Sequence, residues 1–417
     1  MAAWPHPCGV GHAACLSTYT TGAMTGWEST LVLGLLLAAR LLLPLVIPRY
    51  ALFGILACMV LDSADQSIMQ AFGVEFPRYQ SYDKALDIYY LAIAYLATMR
   101  NWDNLAAFQI GRGLFYYRLV GVLVFELSGK RFLLAVFPNS FEPFFVYYEM
   151  VRRMSNPLRL SRNAMLAVVG VIWFVVKLPH EWWIHIAQLD ATDFIKTHIL
   201  GASSETSLWK AVLQAPAVSG TLALVAAVAS LVGWRFVRAR RKRRPAHARP
   251  ATVATFWDET GQRLRAAMLR GHTACSWRPW VLVEKILLVG MVSVVFEQIL
   301  PGLAANGLYT GLFIAFTLMA TDFVLRWGLR HFGVPVSAVV DLSAIALLNF
   351  SLVLIFQYVV PFIRPGYNLP SALVFAALVT LFVTLFDHYR PLYEVRRAEE
   401  EGAGEVGPWG RCQLRRI

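Results

Sequence analysis

Residues 50–72 read YALFGILACMVLDSADQSIMQAF. The run from Ala51 to Leu61 is unbroken by charge, and with its continuation it gives about 20 residues at a rise of 1.5 Å, enough to cross a hydrocarbon core of roughly 30 Å as a helix. Its outer part carries Asp62, Asp65 and Gln66 at i, i+3 and i+4, which share one helical face. An apolar helix with two acids on one side is the pattern of a membrane span with an internal polar face.

The rest of the chain repeats the theme. Of 417 residues, 57% are hydrophobic and only 15% charged, against roughly a quarter charged in soluble domains, and the mean hydropathy is +0.53. A soluble enzyme is excluded by that balance. Hydropathy places spans near 28–47, 50–72, 84–100, 104–127, 132–151, 163–178, 211–235, 280–300, 308–325, 336–360 and 370–388. The expected fold is all-α, a polytopic transmembrane helical bundle of about 11 spans.

The basic residues set the orientation. They outnumber the acidic ones 38 to 26, and they crowd into alternate loops, with the run Arg240, Arg241, Lys242, Arg243 and Arg244 the densest. The positive-inside rule then puts the N-terminus outside and the C-terminus in the cytoplasm, in a cell (inner or plasma) membrane. The expected organisation is a tail at 1–27, in which Met24 offers a second start. A polar-rich half of about seven spans follows at 28–235, with an outer interfacial segment at 179–209. A basic cytoplasmic linker at 236–279, a second half of about four spans at 280–388 and a cytoplasmic tail at 389–417 complete it. The stretch 238–249 suits an anionic inner leaflet. Membrane lipids are the expected partners and nucleic acid is not, since there is little soluble mass to bind it. The oligomeric state is not legible, and five scattered cysteines make no disulfide framework or metal-like pair.

Ionisable groups inside spans cost at least about 2.5 kcal/mol on insertion scales, so they mark function or a buried pair. The first half is rich in them. Besides Asp62, Asp65 and Gln66, the third span opens with Asp83, Lys84 and Asp87, the acids sharing a face with Tyr90. The fourth carries Arg118, for which Asp62, Asp65 or Asp87 are the expected partners. The fifth reads Phe137-Pro138-Asn139-Ser140-Phe141-Glu142-Pro143, and two prolines five apart forecast a broken helix. After the sixth comes Lys177-Leu178-Pro179-His180-Glu181-Trp182-Trp183-Ile184-His185. This is one residue too long for the zinc-protease pattern, and at i+5 the two imidazoles stand about 140° apart on a helix. Pro179 suits the first turn of a separate outer helix whose Trp182 anchors at headgroup depth.

Three functional classes fit. One is a membrane-embedded enzyme at the outer leaflet, with Asp62, Asp65, Asp87, Arg118 and His185 as catalytic candidates. Gln66, Asp83, Tyr90, Glu142, Lys177, His180, Glu181 and Trp182 would line its substrate pocket, and Arg118 or Lys177 would hold an anionic headgroup. A divalent metal is compatible with the carboxylates but is not specified by them. The second class is a proton- or cation-coupled transporter using Asp62 and Asp65. The third is a scaffold or assembly subunit whose polar groups only join helices.

Overall fold

The computed structural model describes residues 26–72, 79–130, 132–182, 194–203, 279–299 and 369–402, with isolated helical positions between them. These residues are all-helical, without strands among them. Helix α1 (Gly26–Leu42) runs through a 3-10 turn (Leu43–Val46) into α2 (Ala51–Ala71), followed by α3 (Tyr79–Asn101) and α4 (Leu105–Ser128). Two pieces, α5 (Phe132–Val136) and α6 (Phe141–Met154), stand where one span is expected. Then come α7 (Arg162–Val171), a π-helical stretch (Ile172–Lys177) and α8 (Leu178–Glu181), with a second π-helical stretch at Ile195–Ile199. Helices α9 (Pro279–Ile299) and α10 (Leu369–Gly402) complete the described part.

Helix α3 is the axis. From Ala85 to Met99 nearly every side chain is buried, including Ile88, Leu91, Ala92, Ile93 and Leu96. A helix that is apolar all round belongs at the centre of a bundle, where neighbours cover each face. It packs against α10, α4, α9 and α2. The ring of Tyr95 stacks on that of Phe115 with centroids 4.6 Å apart, and Tyr89 meets Phe382 and Phe296 edge-on. Helices α9 and α10 therefore sit directly on the first half, and the described helices of the two expected halves share one core.

One end of the bundle is tied by backbone carbonyls and caps. Asn101 donates to the Pro48 carbonyl. Asn104 caps α4 by accepting from the Ala107 amide at 3.1 Å, while its own amide group donates to the carbonyls of Pro157 and Leu160. The Arg396 guanidinium donates to the carbonyls of Met99, Arg100 and Trp102, the bare C-terminal end of α3. A cation there satisfies orphan carbonyls and opposes the negative end of the helix dipole. The expected tail at 389–417 thus begins as packed helix: α10 continues to Gly402, with Tyr389, Leu392 and Tyr393 buried. The apolar pattern ends near 388, but the aromatic and Arg residues beyond it still face α3 and α4.

Parts of the outer surface are apolar as well. Phe53 and Val60 on α2 are 63% and 69% exposed, and Leu35, Phe174 and Val175 also point outward. Two helical segments, Ala51–Met69 and Leu373–Glu394, are long and apolar enough by themselves to cross a membrane, and Leu31–Val46 is a shorter apolar helix. An eleven-span bundle is not established by the described residues. The expected spans at 211–235, 308–325 and 336–360 lie essentially outside them, as do the linker 236–279 up to Arg278 and the N-terminal tail up to Thr25.

The proline-rich stretch breaks as the sequence forecasts, though by one proline rather than two. Pro138 lies in the gap between α5 and α6, whereas Pro143 falls in the first turn of α6, where no amide partner is lost. The carbonyls at the break are taken by α4. Tyr117 donates to Val136 at 2.5 Å, and Arg118 donates to Phe137 at 2.9 Å. Gly121 makes this possible, because a Cβ there would stand 2.1 Å from that of Phe137.

Pro179 departs from expectation. The segment Leu178–Glu181 is not a separate outer helix but the direct continuation of α7 through the π-helical stretch, where the Leu178 amide reaches back to the Trp173 carbonyl. A wide turn shifts the hydrogen-bond register by one residue, which is how a helix absorbs a proline that lacks its own N–H.

Candidate functional site

Four carboxylates from two helices meet one arginine from a third. Arg40 of α1 reaches Asp62 at 2.5 Å and Asp65 at 2.7 Å through Nη1, both on α2. Its Nη2 faces Asp83 and Asp87 of α3 at 3.6 and 3.8 Å. Lys84 lies between the α3 acids, 2.8 Å from Asp83 and 3.2 Å from Asp87. The spacing explains the assembly: Asp62 with Asp65, and Asp83 with Asp87, are each one turn apart and so project from a single face of their helix. Helices α1, α2 and α3 pack together, with Tyr89 donating to the Leu41 carbonyl at 2.8 Å.

The cluster has an inside and a mouth. Asp65 is fully buried and the Arg40 side chain is 3% exposed, while the side chain of Asp62 is 30% exposed and those of Asp83 and Lys84 are partly so. Oxygens of Asp62, Asp83 and Asp87 lie within 4.8 Å of one another, close enough to share a proton or to ligate one cation. Within the group four carboxylates face two cations, an excess of two negative charges if all ionise.

Arg118 stands apart from the role expected of it. It is buried, but among the described residues no carboxylate lies within 4 Å, and its hydrogen bond goes to the Phe137 carbonyl. It remains within electrostatic reach of Asp87, Lys84 and Glu142. The expected direct pairing with Asp62, Asp65 or Asp87 is therefore corrected: Arg40 holds that place, because α1 lies against α2 and α3 at the depth of the acids. Glu142 is buried at the start of α6, where Asn139 donates to its carboxylate. Tyr90 lies beside it, and Lys177 on the π-helical stretch acts on it electrostatically.

Other expected members fall elsewhere. Gln66 is exposed, so it leaves the shared face of Asp62 and Asp65 and does not join the group. Trp182 is 52% exposed. The side chains of His180 and Glu181, and the whole of His185, lie outside the described residues.

Arg40 and Lys84 were absent from the expected set. The sequence signal for Arg40 was present: it is the lone charge in the apolar run 29–48, and a mid-span arginine needs carboxylates.

A second polar network lies nearer the α3 C-terminus. Glu284 of α9 accepts from Tyr95 and Arg390 and faces Arg112 at 3.7 Å, while Lys285 pairs with Asp387 at 2.8 Å. Counting along α3 from Asn101, Tyr95 stands about 9 Å and Asp87 about 21 Å up the helix. Between them lie Ile88, Leu91, Ala92, Ile93 and Ala94, all fully buried.

No protein family, no curated protein and no solved structure matches this chain.

Proposed function

We propose that the chain is a polytopic membrane protein whose Arg40-centred carboxylate cluster works from the outer side, as a membrane-embedded enzyme acting on a lipid-linked or headgroup substrate. The apolar composition, the exposed Phe53 and Val60 face and the two long apolar segments support the membrane setting. The observation that carries the reading is the one-sidedness of the cluster. It sits about two thirds of the way up α3 from the Asn101 end, and about 12 Å of buried apolar residues separates Asp87 from the inner network at Tyr95. With the positive-inside orientation, that end is the outer one.

Roles follow from exposure. Asp62, the most accessible carboxylate of the group, is the candidate base, and Asp83 and Asp87 share its charge or a cation with it. Asp65 and Arg40 are positioning residues, since neither reaches solvent. Lys84 keeps Asp83 and Asp87 from repelling one another.

Turnover of a panel of lipid-linked and headgroup substrates by the full chain in nanodiscs tests this. Asp62→Asn should lower turnover by about two orders of magnitude or more, the range for a general base, with melting nearly unchanged. Turnover equal to that of the unaltered chain defeats the assignment.

A second reading has its own support in the excess of carboxylates over cations, which suits a proton- or cation-coupled transporter. It requires a polar route past the apolar layer of α3. Ion flux into proteoliposomes, abolished by Asp62→Asn, would favour it.

A further inference from the structure

We propose that Arg118, Ser140 and the N-terminus of α6 form a binding site for a phosphoryl oxyanion beside the carboxylate cluster. The inference rests on the outer-side reading for its setting and names the substrate chemistry of that region.

Arg118 is 2% exposed. Its guanidinium has five N–H donors, and the protein uses Nη1 for the Phe137 carbonyl while Nε is buried without a hydrogen-bond partner. A buried guanidinium with unused donors and no carboxylate within 4 Å among the described residues has hydrogen bonds left to give to an acceptor.

Ser140 is a second unsatisfied group, reached from a different element. It is the N-cap of the fourteen-residue α6, 3% exposed, and its hydroxyl makes no hydrogen bond. An N-cap serine ordinarily accepts from the amide of the second or third helical residue. Here the third is Pro143, which has no N–H, and the amide of the second, Glu142, goes to the Asn139 side chain at 3.4 Å. The hydroxyl is left over by the local sequence. It lies at the positive end of a helix, a place that favours oxyanions.

The two groups belong to one place. Arg118 holds Phe137, three residues before Ser140, and Gly121 one turn further along α4 lets Phe137 pack against the helix backbone. Arg118 lies thirteen residues into α4 from Leu105, about 20 Å from that end, at the depth of Asp87.

The acid already present is answered. Glu142 takes Asn139 and feels both Lys177 and Arg118, and Asp87 also acts on Arg118, so what remains unspent here is hydrogen-bonding capacity rather than surplus charge. A guanidinium edge, a hydroxyl and a helix terminus are the donor types that hold phosphoryl oxygens. Lipid phosphates and soluble phosphate share that chemistry.

The test uses the purified full chain in neutral detergent, with phosphatidylglycerol, a polyprenyl monophosphate and inorganic phosphate as probes and uncharged diacylglycerol as control. Native mass spectrometry reads binding, and thermal unfolding is followed in parallel without ligand. Phosphate-bearing probes should bind and diacylglycerol should not. Arg118→Gln should weaken binding about tenfold or more, and Ser140→Ala several-fold.

Ser140→Ala guards against a folding artefact. Removing an unsatisfied buried hydroxyl should leave melting unchanged or raise it, so weaker binding with equal or higher melting supports the site. Binding of the lipid probes but not inorganic phosphate identifies a lipid source, and the reverse identifies a soluble one. If no phosphate probe binds, or all bind equally well to both variants, the proposal is overturned. Because binding is read without turnover, an unaltered turnover in Asp62→Asn sinks the enzyme reading while leaving this site standing.

Discussion

Replacing Arg40 with methionine removes the one side chain among the described residues that lies within 4 Å of all four carboxylates. Asp62 and Asp65 lose partners at 2.5 and 2.7 Å, and Asp83 and Asp87 lose the facing charge at 3.6 and 3.8 Å. Lys84 still serves Asp83 and Asp87, so the loss falls mainly on the two α2 acids, of which Asp65 is fully buried. Breaking a buried pair from one side costs about 3–5 kcal/mol. Arg40→Met should therefore destabilise by about that amount, and Asp65→Leu, which leaves Arg40 three acids, by less. The double variant should regain much of the loss, giving a coupling energy of about 1–3 kcal/mol between the two sites. Equilibrium unfolding of the four proteins in bicelles, read by tryptophan fluorescence, supplies the cycle. Single-variant costs that simply add in the double, or an Arg40→Met cost below about 1 kcal/mol, would show that the cluster is solvated and that Arg40 does not organise it.

Gly121→Ala places a Cβ 2.1 Å from that of Phe137 and should cost roughly 1–3 kcal/mol by overpacking; a neutral result in the same unfolding assay would contradict the packing of the break onto α4. Arg396→Ala strips three carbonyls at the end of α3 of their donor, so hydrogen exchange at residues 99–102 should quicken, with a loss of about 1–3 kcal/mol. Asp103→Ala, which removes only the exposed partner of Arg396 at 3.5 Å, should change stability by less than about 1 kcal/mol. Lys285→Met should destabilise more than Lys285→Met with Asp387→Leu, since the pair is nearly enclosed; equal losses would mean that Lys285 is not what compensates Asp387.

Helical character was legible because it depends on local pattern. Unbroken apolar runs of 20 residues admit little else, and the break after Val136 follows from Pro138 lacking a donor. What local pattern cannot carry is how a strained segment is repaired. Pro179 read as a beginning because proline favours first turns. The chain instead widens the preceding turn, Ile172–Lys177, into a π-helix that carries the helix on through the proline. The run of α10 past 388 was hidden for a similar reason. Arg390 and Arg396 look like the start of a charged tail, yet Arg390 meets Glu284 and Glu394 and Arg396 meets the α3 carbonyls, which keeps both packed against the bundle.

The candidate site divides along the same line. Spacing alone puts Asp62 with Asp65 and Asp83 with Asp87 on single faces, since three- and four-residue intervals are intrahelical geometry. Which cation those faces meet is tertiary geometry, decided by the depth at which α1 lies against α2 and α3. Sequence alone points to Arg118, because an arginine in mid-span needs a carboxylate. Yet charge balance alone discriminates between the two arginines. An arginine given four acids is neutralised and becomes a fixed part of the protein, as Arg40 is, whereas one that donates to a single carbonyl keeps donors for something else. The structure assigns the acids to the first and leaves the second with donors unused. The acidic cluster and the guanidinium with unused donors thus lie at the same depth on neighbouring helices, within electrostatic reach but not in direct contact. Separated opposite charges in a low-dielectric interior gain less than a direct pair would, and a bound group that accepts from the unused Arg118 donors is what would offset that cost.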